Sequence, residues 1–277
     1  MGQVYLAHDS ELGAQVALKI IRPEISGSPE VLARFRREAR ITHRITHPNV
    51  CRTFDLGHEI RQIGPDPANS VEVIFLTMEY LDGETLQQLL KRKGRLEPSE
   101  AILIASQMSE GLTAAHQAGI VHRDIKPTNV MIVPSGSRSP TTDRVVLTDF
   151  GLARFETMVE GLDTSSISYP GRVMGTLAYM APEQLQTGAV TPATDIYAFG
   201  LVLYEIVTGE KAFPDSQSLI AAFRRMTQPP PSPRVLVPQL PSEWETTVLG
   251  CLQIDPTRRF QSASDVVAVL KGNPGRC

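Results

Sequence analysis

No run of the sequence reaches the roughly 18 consecutive apolar residues that a bilayer-spanning helix needs. The nearest approach, Ile196 to Val207, is too short and is interrupted by Tyr197, Tyr204 and Glu205. The first residues lack a basic segment followed by an apolar one, so no secretory signal is expected. Cysteine is scarce. Cys51, Cys251 and Cys277 lie far apart, which excludes metal-ligand and redox spacings and leaves free thiols in a reducing compartment. Neither sign of charge dominates: 27 Lys and Arg against 30 Asp and Glu give a net charge of −3, with no global signature of nucleic-acid or membrane binding. Internal repeats are absent. These absences together lead us to expect a soluble cytoplasmic protein with no nucleic-acid partner and no membrane segment.

What is present is ordinary in amount and unusual in arrangement. With 277 residues, 42% of them hydrophobic, the chain can bury a sizeable core and is near the length at which chains divide into two lobes. Within it stands the octapeptide His122-Arg123-Asp124-Ile125-Lys126-Pro127-Thr128-Asn129. A carboxylate, an ammonium and a carboxamide so close together suit a hydroxyl nucleophile, a phosphoryl group and a divalent metal. Asp124 can take a proton from an attacking alcohol, Lys126 can neutralise charge on the transferred group, and Asn129 can offer a neutral oxygen to Mg²⁺. That set fits phosphoryl transfer, where catalysis is mostly positioning and charge stabilisation.

The two halves of the chain differ in character. Up to about residue 80, β-rich runs dominate: Val4 to Ala7, Val16 to Ile21, Val50 to Leu56 and Val71 to Met78. A turn around Leu12-Gly13 separates the first two, and a Gly/Pro/Asp/Asn loop from Gly64 to Ser70 the last two. Between the pairs, Ser28-Pro29 starts a helix whose apolar positions are Val31, Leu32, Phe35, Ala39 and Thr42. After Tyr80 helices take over. Expected spans are Ser99 to Ala118, Asp195 to Thr208 (apolar nearly all round, hence central), Trp244 to Ile254 and Ala263 to Leu270. The Pro229-to-Pro233 run reads as an ordered loop, with a polyproline ligand as the alternative.

Downstream of the octapeptide, Val145-Val146-Leu147 leads into Asp149-Phe150-Gly151, an aspartate at a strand end beside a glycine that lets the backbone turn. Ala181-Pro182-Glu183 closes the segment that this aspartate opens. In this order the motifs resemble those of the eukaryotic-like Ser/Thr protein kinases common in bacteria, and the likeness runs from Gly2 to about Leu270. It implies an α+β, bilobal kinase fold in a single domain over 1–277. A small β-rich N-lobe (1–80) and a larger helical C-lobe (81–277) would enclose ATP, used with Mg²⁺ or Mn²⁺ to phosphorylate protein Ser and Thr.

Residue roles follow from the same resemblance. Lys19, in Val16-Ala17-Leu18-Lys19, matches the lysine that holds the α- and β-phosphates, and Glu38 the glutamate that pairs with it. Met78 would be the gatekeeper, and Glu79 and Leu81 would offer the hinge carbonyl and amide to adenine. Val4, Ala17 and Met131 would sandwich the purine, while Gly2 would belong to the phosphate-covering loop. Asp124 is the implied base, with Asn129 and Asp149 the metal ligands. Lys126 and Thr176 mark the Ser/Thr side of the family, and Thr176 could bond both Asp124 and Lys126. His122 and Phe150 look structural, Glu183 and Arg259 resemble a buried ion pair, and Asp195 would tie down the catalytic-loop backbone. Arg123 before Asp124 implies activation by phosphorylation of the loop, with Thr164, Ser165, Ser166 and Ser168 as candidates and self-association as a route to autophosphorylation.

The chain departs from the pattern at its start, Met1-Gly2-Gln3-Val4-Tyr5. Gly2 aligns with the third glycine of the family's loop, so the first strand and two glycines are missing and an N-terminal truncation within the loop, or a mis-assigned start, is expected. A chain beginning there would bind ATP weakly and turn over slowly. Thr42 and Thr53 also replace apolar residues of the family's internal spine. A pseudokinase scaffold that binds nucleotide or partners without turnover, and a small-molecule phosphotransferase, are the competing classes. Intact Lys19, Glu38, Asp124, Asn129 and Asp149 argue against the first, and the Ala181-Pro182-Glu183 segment against the second.

Overall fold

The computed structural model describes residues 3–11, 13–20, 36, 39, 42–62, 70–135, 143–150, 178–213 and 219–272. Gly2, Glu38, Thr176 and the Thr164–Ser168 cluster lie outside these residues, as does most of the helix expected after Ser28; residues 36, 39 and 42 are helical.

Strands β1 (Val4–Asp9), β2 (Ala14–Ile20), β3 (Thr53–Gln62) and β4 (Ser70–Glu79) form one antiparallel sheet of order β1-β2-β4-β3. Gly13 supplies the positive φ (64°) in the turn between the first two strands. Ile74, Leu76 and Met78 are buried while Phe75 and Thr77 are only partly so, the period-two pattern of a strand with one face on the core. The register places Ala17 opposite Met78 and Lys19 opposite Leu76. Ala17 and Lys19, two apart, therefore share a face.

A second, three-stranded sheet consists of β5 (Glu84–Thr85), β6 (Val130–Val133) and β7 (Arg144–Leu147). Among the described residues after β4 the α-helices are α1 (Leu86–Lys93), α2 (Pro98–Gln117), α3 (Pro182–Gln186), α4 (Pro192–Thr208), α5 (Leu219–Thr227), α6 (Ser242–Cys251) and α7 (Ala263–Leu270). From Thr194 to Thr208 every residue of α4 except Glu205 is buried, so this helix is the axis of the core, as its apolar sequence requires. It begins three residues before the expected Asp195, because Thr191 caps it and Pro192 fits the first helical position. Gly209 ends it at φ 78°. None of the helices among the described residues is long and apolar enough to cross a membrane.

The two sheets are sewn together by the segment between helix and β3. Val50 bridges Leu147 in parallel, and the Cys51 amide donates to the Leu147 carbonyl at 2.9 Å. This is why β3 starts at Thr53 and not at Val50: residues 50 and 51 are already committed to β7, while Arg52 bonds Glu79 at the end of β4. Gly111 of α2 lets this segment approach, since a β-carbon there would lie 2.7 Å from the Asn49 carbonyl oxygen. Pro230 and Pro233 of the proline run are buried and Ser232 caps a short helical turn, so the run packs as an ordered loop.

Candidate active site

The octapeptide begins on a loop and ends in a single 3₁₀ turn, Pro127–Asn129, that feeds β6. Its shape depends on one buried carboxylate. Asp195, fully buried in the first turn of α4, accepts from the His122 amide at 2.7 Å and the Arg123 amide at 2.8 Å. It also bonds His116 Nε2 of α2 at 2.8 Å. Arg123 adopts φ 71°, a conformation that costs a non-glycine residue about 1–3 kcal/mol and needs such fixing. With the loop held, Asp124 points its carboxylate at two neighbours: Oδ2 accepts from Lys126 Nζ at 2.7 Å and from Asn129 Nδ2 at 2.9 Å. Asn129 Nδ2 also donates to the Asp124 carbonyl at 2.8 Å. All three side chains are buried, so the ion pair acts at low local dielectric.

Facing this loop is the end of β7. The Thr148 amide donates to the Asn129 carbonyl at 2.9 Å, so Asn129 and Asp149 flank the mouth of the β6–β7 hairpin. Asp149 itself sits at φ 62°, and Lys19 Nζ donates to its Oδ1 at 2.8 Å. His122 locks the two segments together. Its Nε2 lies 2.9 Å from the Thr148 carbonyl and must carry the proton, leaving Nδ1 to accept the Asp124 amide at 3.3 Å. Burial lowers the His122 pKa against the opposing pull of Asp195 and Asp124, which keeps this neutral tautomer. Its ring lies 4.3 Å from that of Phe150.

Above the loop, Met78 packs with Cys51 and Val146 in a small apolar cluster joined by Ala17, Leu81 and Met131. Four of the residues expected around adenine thus meet in one place. Val4 sits on β1 opposite Lys19 and is more than half exposed, outside this cluster. The Glu79 carbonyl accepts from the Cys51 thiol at 3.8 Å. Burial, aided by the charges of Glu79 and Asp149, pushes that thiol up to about 12, so it is a neutral donor. Behind Met78 a small cavity is lined by Thr42, Thr53, Cys51, Asp149 and Phe150.

The wall beyond the site is held by Glu183 and Arg259. All five guanidinium N–H groups of Arg259 are accounted for: two to Glu183 at 2.8 Å each, and one each to the carbonyls of Ala193, Gln253 and Ile254. Burial alone would raise the Glu183 carboxyl, but hydrogen bonds from Arg259 and Thr194 and the Arg259 charge hold it below its ordinary 4.5. A depressed folded pKa stabilises the protein above pH 4.5, and the contribution is lost as pH falls through the folded value. Glu183→Gln should therefore cost about 3–5 kcal/mol at neutral pH, by stranding the buried guanidinium. It should also flatten the acid limb of stability; urea unfolding from pH 3 to 7 reads both, and an unchanged acid slope would contradict the assignment.

Sequence patterns missed three contributors. His116 was invisible because its partner Asp195 lies 79 positions away. Gln107 of α2 accepts from Asn49 Nδ2 and the Val145 amide at 2.9 Å each and donates to the Asp143 carbonyl, pinning β7. Arg144 forms a two-pronged pair with Glu79. Only polarity on an otherwise apolar helix face could have flagged Gln107.

Comparison with known proteins places this geometry. A family model described as the protein kinase domain matches residues 1–269. The Ser/Thr protein kinase PknA of Mycobacterium tuberculosis is 36% identical over 274 residues, covering 98% of this chain and 58% of PknA. PrkC of Bacillus subtilis is 34% identical over 271 residues, covering 98% of this chain and 38% of PrkC. The chain thus spans about half the length of the curated relatives it matches, or less. Among solved structures, the kinase domain of M. tuberculosis PknI superposes with a TM-score of 0.71 at 25% identity, covering 99% of this chain and 91% of that one.

Proposed function

The chain belongs to the protein kinase family, and we propose that it transfers the γ-phosphate of ATP to Ser and Thr hydroxyls of proteins. The observation that carries this reading is the convergence of Asp124, Lys126 and Asn129, with Lys19 paired to Asp149 across from them. Asp124 orients the acceptor hydroxyl and takes its proton. The acceptor oxygen bonds the γ-phosphorus as the bond to the β-phosphate oxygen breaks, and ADP leaves with that electron pair. Lys126, already beside Asp124, neutralises the phosphoryl group in flight, and Lys19 holds the α- and β-phosphates. The hard oxygens of Asn129 and Asp149 suit Mg²⁺ or Mn²⁺. No cluster of three His, Cys, Asp or Glu among the described residues could hold a metal unaided, which fits an ion completed by substrate phosphates and water. Bound there, the ion would supply charge neutralisation. Glu38 and Gly2 keep their proposed roles as the partner of Lys19 and part of the phosphate cover, and Thr176 its role beside Asp124.

The test is label transfer from γ-labelled ATP by the purified chain, with a Ser/Thr-rich acceptor protein. Phosphoserine and phosphothreonine are expected on the acceptor, with self-labelling between Thr164 and Ser168, and chelation of divalent cations should abolish both. Binding of an ATP analogue without transfer would replace this reading by the scaffold. Label confined to small-molecule acceptors would replace it by the phosphotransferase.

A further inference from the structure

An ion pair at the back of the hinge is used by none of the chemistry above. Arg144, the first residue of β7, donates from Nη1 to Glu79 Oε1 at 2.6 Å and from Nη2 to Glu79 Oε2 at 3.2 Å. Its Nε donates to the Pro48 carbonyl at 2.5 Å. One guanidinium therefore joins three segments that are remote in sequence: the last residue of β4, the loop before β3 and the start of β7. The pair is only about a third exposed on one side and a quarter on the other. Its two-pronged geometry is the kind of surface pair that carries real energy, where most exposed pairs carry almost none.

Glu79 is the point at which this matters. It stands between Met78 and the residues leading to Leu81, and its peptide is held on every side. Its amide donates to the Arg52 carbonyl at 2.8 Å, its carbonyl accepts from Cys51, and the Arg52 amide reaches its Oε2 at 3.4 Å. Among the described residues, the Glu79 side chain meets the three-stranded sheet through Arg144. Arg144 is fixed in turn. Next to it on β7, the Val145 amide donates to Gln107 and the Val145 carbonyl accepts from Asn49 Nδ2 at 2.7 Å.

We infer that Arg144 is a positioning residue for the nucleotide. It presets the orientation of the 79–81 peptide, and with it the adenine-facing edge, before ATP arrives. This rests on the ATP reading of the site. Preorganisation of this kind lowers the cost of binding and leaves the chemical step alone. A brace that served stability alone would instead shift the unfolding midpoint without moving nucleotide affinity.

The experiment measures Kd for a non-hydrolysable ATP analogue with Mg²⁺, together with KM for ATP, kcat and the urea midpoint. Arg144→Ala should raise Kd and KM about five- to tenfold with kcat within about twofold, the loss of one good two-pronged contact. Arg144→Lys, which keeps the charge but not the fork, should fall between. The double exchange Glu79→Arg with Arg144→Glu should recover more than half of the affinity that either single exchange loses. Kd within twofold of the original for Arg144→Ala, or a double exchange no better than its parents, would overturn the inference. An unaltered chain that binds no analogue at millimolar concentration would instead overturn the ATP reading, and this inference with it.

Discussion

Asp124→Asn is expected to lower kcat for phosphate transfer about 10²–10⁴-fold while leaving nucleotide affinity within about twofold. The hydrogen bonds explain both halves. Lys126 Nζ and Asn129 Nδ2 both donate to Oδ2 of Asp124, so an asparagine must turn its single oxygen toward them. The amide nitrogen then occupies the place of the other carboxylate oxygen, the one left to face an acceptor hydroxyl. An N–H₂ there donates where a proton must be received. The loop keeps its shape, because Asp195 and His122 hold it through backbone amides that the substitution does not touch. Single-turnover transfer and analogue binding, measured on the same preparation, separate the two effects. Transfer above a tenth of the original rate would remove Asp124 from the role of base.

The catalytic loop was legible in the sequence because its parts are neighbours in the chain. Asp124, Lys126 and Asn129 lie within six residues, so residue type and spacing keep them near one another. Helix limits were legible where local chemistry sets them. Ala263–Leu270 has Ser262 as its cap, whose hydroxyl accepts the Asp265 amide, and the expected span coincides with the helix. Elements shaped by distant partners were less legible. Val50-Cys51 has strand-like composition, yet β7 claims the pair before β3 can. The pair of Glu79 and Arg144 bridges 65 positions and follows no periodic pattern, so nothing local could announce it. The sandwich expected around adenine mixes the two cases. Ala17 and Met78 meet through strand register, which alternation of apolar residues encodes, while Met131 and Leu81 arrive from the other sheet and the hinge.

Asp195→Ala is the second substitution expected to have a large effect, and it acts without touching any reacting group. Removing the carboxylate leaves the amides of His122 and Arg123 buried without their acceptor, at about 1–3 kcal/mol each. It also strips the partner from His116 Nε2. Arg123 would then be free to leave its positive-φ conformation, relieving strain that only a fully bonded loop can hold. A total loss of about 3–5 kcal/mol is expected in urea unfolding. Because the released amides of His122 and Arg123 lead directly into Asp124, kcat should fall further than the folded fraction explains. Asp195→Asn separates positioning from stability. It keeps the volume and one oxygen, but its N–H₂ must face one of three donors, so the loop loses an anchor while α4 still packs. We expect the asparagine variant to unfold within about 2 kcal/mol of the original and yet lose at least about tenfold in kcat. Original turnover in a folded Asp195→Asn chain would show that the catalytic loop keeps its geometry without this anchor.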